Sequence, residues 1–113
     1  MQSPWGKIDR VEKITTGVSF VSTPRHGGLR VSRLALFKHA VNPDMILQLG
    51  GIDSGNYVFF EEDCAYALFL FDAPEILKID SLMHGKSPDE MFEVFKKIIE
   101  RWYPTYFTES VKS

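Results

Sequence analysis

Residues 57–71 constrain what this chain can fold into more than any other stretch. Tyr57-Val58-Phe59-Phe60 is followed by Glu61-Glu62-Asp63, and then by eight apolar residues from Cys64 to Phe71. A run of that length and character belongs inside a protein. Three adjacent carboxylates do not follow it there, because an unpaired buried carboxylate is costly. The acidic triplet therefore marks a place where the chain surfaces between two buried segments. Residues 57–60 read as a strand. Residues 61–71 read better as a helix than as a strand, because alanines and an acidic first turn at the positive end of the macrodipole favour a helix, although the aromatics favour a strand. Asp72-Ala73-Pro74 closes or kinks that element.

The partners of this segment are sought on either side. Residues 7–23 are β-branched and interrupted by charge, with Thr15-Thr16-Gly17 as a hairpin turn and Pro24 as a boundary. Arg25-His26-Gly27-Gly28 gives a second turn signal, since paired glycines permit positive φ. Leu29-Arg30-Val31-Ser32 alternates as a half-buried strand does. Together these predict a three-stranded antiparallel meander. Ser32 is placed to cap a short helix over 33–41, with Leu34, Phe37 and Val41 on one side, and Asn42-Pro43 interrupts it. Residues 43–49 suit a further helical turn or two, and residues 50–56 read as loop. Ser87-Pro88-Asp89-Glu90 is a capping box with proline at N1. Met91, Phe92, Phe95, Ile98, Ile99 and Trp102 then form one stripe, so a helix over 88–103 is expected to cover a face of the sheet. The fold class expected is α+β: a small antiparallel sheet of three to four strands with helices packed on one face. One domain over 1–113 is expected, with 1–4 and 108–113 flexible.

Composition narrows the function classes. At 44% hydrophobic residues, 113 residues can bury a core without staples. One cysteine, Cys64, excludes an internal disulfide and a multi-cysteine zinc site, which fits a reducing cytosol. No apolar run approaches the roughly 20 residues of a membrane span, and the first residues lack the apolar core of a signal peptide. A cytoplasmic protein that uses no membrane is expected. The net charge of −2 hides an asymmetry. Residues 1–43 carry seven Lys/Arg against Asp9 and Glu12, a net +5, whereas residues 44–113 carry six against thirteen acids, a net −7. A basic half can touch phosphates and an acidic half a basic partner, unless both are solvated faces of one domain.

Two polar stretches are candidates for contact or chemistry. Arg25, His26, Gly27, Gly28 and Arg30 form a turn with exposed N–H groups and positive charge, suited to an anion or a partner, although the spacing is not that of a Walker or Rossmann loop. Glu61, Glu62 and Asp63 offer packed carboxylates, whose plainer role is electrostatics at a helix start. A hydrolase or nuclease would use His26 with Glu62 or Asp63. Cys64 with His26 would form a nucleophile–base pair only if folding joined them, and a lone cysteine in an apolar run is more often a core residue. His39 and His84 have no partners at metal-ligand spacing and read as surface residues. Trp5 and Trp102 read as packing residues. No cofactor, metal or catalytic residue is assigned.

Trp5-Gly6-Lys7-Ile8-Asp9, Gly17-Val18, the run from Ser22 to Ser32 with its Ser-Thr-Pro-x-His-Gly-Gly pattern, and Phe60-Glu61-Glu62-Asp63-Cys64-Ala65-Tyr66-Ala67 resemble an uncharacterised family of small domains. Those domains occur in bacteriophage, plasmid and other mobile-element proteins. The resemblance covers residues 4–75 and supplies no activity. It implies a bacterial or phage cytosolic setting, and that the turn and the acids belong to one arrangement. With the size and the split charge, it leads to an expected non-catalytic protein that binds and modulates a host protein or protein–nucleic acid complex, such as an anti-CRISPR or antirestriction inhibitor. Direct nucleic-acid binding is the weaker alternative at a pI near 5.9, and a homodimer is compatible with the sequence.

Overall fold

The structure is a computed structural model that describes residues 2–109. Strands β1 (Gln2–Ser3) and β2 (Gly6–Lys7) form a small hairpin. Strands β3 (Arg10–Thr15), β4 (Val18–Ser22) and β5 (Gly27–Ser32) form the expected meander. Helices α1 (Arg33–His39) and α2 (Pro43–Gly50) follow, then β6 (Ile52–Ser54) and β7 (Tyr57–Glu61). Helices α3 (Ala65–Asp72), α4 (Pro74–Met83), α5 (Pro88–Trp102) and α6 (Thr105–Glu109) complete the chain. Of the ends expected to be flexible, Met1 and residues 110–113 lie outside the described residues. Gln2–Ser3 and Thr105–Glu109 belong to regular elements.

The fold is α+β. The main sheet is antiparallel, with strand order β3-β4-β5-β7-β6. It has five strands, where three to four were expected. The added edge strand, β6, lies in residues expected to be loop. Its three exposed residues carry no readable period, and pairing with β7 alone makes it a strand. Register places the buried set on one face. Val18 stands opposite Val31, which faces Val58, and Phe20 stands opposite Leu29, which faces Phe60. Alternation with period two explains why the intervening residues point the other way.

Helix α3 is the centre of the core. Ala65, Ala67, Leu68, Phe69, Leu70, Phe71 and Asp72 are all buried, as befits a helix enclosed on every side. Phe69 stacks on Phe60 of the sheet at 5.7 Å between ring centroids. Tyr66 meets Phe95 edge-on at 5.3 Å, and Phe71 stacks on Phe92 at 4.5 Å, both from α5. Each fully buried large side chain here contributes about 2 kcal/mol of hydrophobic stabilisation. The helical reading of this segment holds, but its start is displaced. β7 runs on through Glu61, the acids form the turn, and no acid lies in the first turn of α3.

Both sequence-read caps are formed. The Ser32 hydroxyl accepts from the Ala35 N–H at 3.1 Å, and the Ser87 hydroxyl from the Glu90 N–H at 3.3 Å. α5 packs on α3 and α4 and so makes a second helical layer, where direct cover of the sheet was expected. Its stripe ends early: Trp102 is 56% exposed, with the Arg101 guanidinium 5.2 Å from the centroid of its ring. α1 is turned outward relative to its stripe, burying Ala35 and Leu36 and exposing Leu34, Phe37 and Val41.

The opposite face of the sheet is covered by the N-terminal hairpin. Trp5 lies edge-on to Phe59 at 5.6 Å, and Phe59 and Val21 are buried outside the main core. Gly28 allows this approach. A Cβ there would stand 2.2 Å from the Phe60 carbonyl oxygen and 2.7 Å from the Trp5 ring. Gly17 is the glycine that adopts positive φ, at 81°, in the β3–β4 turn. Gly27 and Gly28, expected to supply a turn, are strand residues, with the turn itself at residues 23–26.

Candidate functional site

The sheet brings the two polar stretches together. β5 and β7 are neighbours, Gly28 stands opposite Glu61, and the Glu62 N–H donates to the Gly27 carbonyl at 2.9 Å. The turn preceding β5 therefore sits beside the turn that follows β7. His26 Nδ1 lies 3.8 Å from a Glu61 carboxylate oxygen, with side chains 51% and 39% exposed. Arg25, His26, Glu62 and Asp63 are exposed and Glu61 is half-buried, so the rim faces solvent. Gly27 and Gly28 are buried backbone beneath it. Arg30 lies on the face of β5 that carries Gly28, with its guanidinium 5.0 Å from the centroid of the Tyr57 ring.

Thr23 shapes the turn. Its hydroxyl accepts from the His26 N–H at 3.0 Å and donates to the His26 carbonyl at 2.9 Å, while its own N–H donates to that carbonyl at 2.7 Å. A buried Thr23 followed by Pro24 turns Arg25 and His26 outward. The Ser-Thr-Pro run signals such a turn, but the sequence does not show that the threonine organises it.

Cys64 is half-buried at the start of α3, where a core position was expected. Burial pushes its thiol up, and Asp63 and then Glu61 push it further. Its surroundings therefore oppose the thiolate that a nucleophile needs.

A second polar constellation lies across the sheet and escaped the sequence reading. His84 caps the C-terminus of α4. Its Nδ1 is 2.8 Å from the Asp80 carbonyl oxygen and 3.4 Å from an Asp80 carboxylate oxygen, and its Nε2 is 3.1 Å from a Glu12 carboxylate oxygen on β3. These groups border a cleft of about 240 Å³, with buried Leu29 and Leu70 at its base and Phe20 and Tyr66 on its walls. Three groups around it have raised pKa values: His84 through its bonds to the Asp80 backbone and Glu12, Asp80 through burial, and Tyr66 through burial. His84 is a surface residue, as expected, but one with a partner 72 positions away in the chain. No sequence spacing announces that pairing. His39 is half-buried, and its Nδ1 has no hydrogen-bond partner among the described residues.

A third polar group is structural. Asp72 is fully buried, and its carboxylate accepts from the Asn42 N–H at 2.6 Å, the Asn42 side-chain amide at 2.9 Å and the Tyr106 hydroxyl at 2.6 Å. Burial, and then Asp72, hold the Tyr106 phenol far above its ordinary pKa. This node joins the α1–α2 link, the end of α3 and α6.

Taken together, the fold and rim define a small α+β domain with a polar turn and an acidic turn at one end of a strand pair. The chain belongs to the family described as Domain of unknown function (DUF7007), which matches residues 1–113. No curated protein and no solved structure matches it. Among the described residues, no helix is long and apolar enough to cross a membrane, and no group of three or more His, Cys, Asp or Glu is arranged to hold a metal ion.

Proposed function

We propose that this is a small non-catalytic binding protein of phage or mobile-element origin, acting in the bacterial cytoplasm on a host protein or nucleoprotein complex. An anti-defence role, as an anti-CRISPR or antirestriction inhibitor, fits that class. One observation carries the reading: the His26–Glu61 approach, which joins two sequence-distant polar stretches on one exposed rim. Arg25 and His26 on one turn, with Glu61, Glu62 and Asp63 on the other, present both signs of charge within one patch. Such patches set partner choice and association rate more than raw affinity. At the far end of β5 from the rim, Leu34, at 86% exposure, and Phe37 and Val41 expose apolar side chains.

The exposure of the rim favours binding over hydrolysis. The carboxylate that His26 faces is Glu61, rather than the Glu62 or Asp63 of the hydrolase reading, and the pair is open to water. Acid–base and electrostatic catalysis draw their strength from water-excluded sites.

The test is capture from host lysate at low and high salt, with the wild type beside R25E/H26A and E61K/E62K variants. A partner retained by the wild type at low salt, weakened by added salt and lost from both variants is the expected result. Equal recovery by folded variants would remove the rim from the interface, and recovery of nothing by the wild type under gentle conditions would sink the reading.

A further inference from the structure

The hydrogen-bond partners of His84 favour its protonated form. A neutral imidazole has one N–H and one lone pair. Nδ1 lies 2.8 Å from the Asp80 carbonyl oxygen, which only accepts, so Nδ1 carries a proton. Nε2 lies 3.1 Å from a Glu12 carboxylate oxygen, and a carboxylate likewise only accepts. Both contacts are satisfied together only by the imidazolium. Its place at the C-terminal end of α4, where the macrodipole is negative, favours the same form.

We propose that His84 is a proton-operated latch between the edge strand β3 and helix α4. Protonated, it ties Glu12 to the end of α4 and narrows the cleft over Leu29 and Leu70. Deprotonated, it keeps the bond to the Asp80 carbonyl and loses its attraction for Glu12, and the cleft widens.

The latch has leverage because, among the described residues, β3 is held within the sheet by β4 alone, and its first four residues are exposed. Packing against α4 is its other tertiary contact of substance. The groups that bear on the latch are Glu12 from β3, Asp80 from α4 and Tyr66 from α3, with Arg10 two residues before Glu12 on the same strand face. Glu12 and Asp80 favour the imidazolium, and burial opposes it. The His84 N–H and, two residues on, the Lys86 N–H both bond back to the Ser81 carbonyl, at 3.1 and 2.8 Å, so the backbone is pinned and the side chain is the moving part.

The experiment is a pH titration followed by NMR on the full chain, reading the His84 ring nitrogens and the amides of Glu12, Leu29, Tyr66 and Leu70. The expected result is a His84 midpoint above its ordinary 6.5, both ring nitrogens protonated below it, and cleft amides that shift with the same midpoint. Those coupled shifts should vanish in H84Q, and E12Q should return the His84 midpoint toward 6.5. A His84 midpoint at its ordinary value, cleft shifts that persist in H84Q, or a midpoint unmoved in E12Q would each overturn the latch. Hydrogen exchange of β3 amides gives an independent readout: exchange should quicken above the midpoint in the wild type and be pH-independent, after correction for intrinsic exchange rates, in H84Q.

Discussion

Asp72 and Glu61 are carboxylates at the two ends of the central apolar segment, and the fold treats them in opposite ways. Asp72 is sealed in the core, with three donors on its two oxygens. Glu61 is half-exposed, with an imidazole 3.8 Å away. A carboxylate removed from water must have its lone pairs met by protein, and so becomes part of the scaffold. One that keeps its water remains open to a partner. The contrast separates a structural acid from an available one without reference to sequence position.

The contrast is broken most directly at the buried end. D72A removes the acceptor that the Tyr106 hydroxyl and the Asn42 donors share and is expected to destabilise the fold by about 4 kcal/mol, read by urea denaturation. A loss below about 1 kcal/mol would mean that the node is not the constraint its geometry indicates. Next is G28A, beneath the rim, where the added methyl meets the Phe60 carbonyl oxygen and the Trp5 ring. A loss of about 2 kcal/mol is expected, with weaker shielding of Phe59 by Trp5, visible in tryptophan fluorescence. At the exposed end, H26A and E61Q should each change stability by less than about 0.5 kcal/mol, because surface ion pairs contribute little. They should weaken partner capture instead, and a large stability loss would reclassify Glu61 as scaffold.

The smallest effect concerns the other exposed imidazole. The folded-state pKa of His84 is raised above its ordinary 6.5. Its stabilisation is therefore complete below pH 6.5 and is lost as pH rises through the folded value. The difference in unfolding free energy between the wild type and H84Q should narrow from acidic to alkaline pH. A gap that widens would reverse the sign of the linkage.

Much of the fold was legible because local patterns had one solution. The alternation of residues 29–32, the Thr-Gly turn and the capping box before α5 each follow from backbone preferences that act within a few residues. Other features had no local signature. β6 has one apolar residue in three, and α4 lies in residues 74–83 where the reading assigned no element. The outward face of α1 depends on what the sheet leaves uncovered. Of the candidate site, the two stretches were readable and their adjacency was not, since it follows from the pairing of β5 with β7. The Glu12–His84 contact, 72 residues apart, was beyond reach for the same reason.

By itself, the sequence determined that most of residues 64–71 would be buried, although Cys64 and Tyr66 are only half so, that the acids before them would not, and that helices and an antiparallel sheet would share one core. Apolar surface and carboxylate hydration enforce those outcomes in any arrangement. Tertiary structure alone decided which acids gained partners: Asp72 met Asn42 and Tyr106, Glu61 met His26 and Glu12 met His84. Each of those meetings is set by which strands and helices lie side by side, and such neighbours are chosen by the packing of the whole chain, not by the residues that meet.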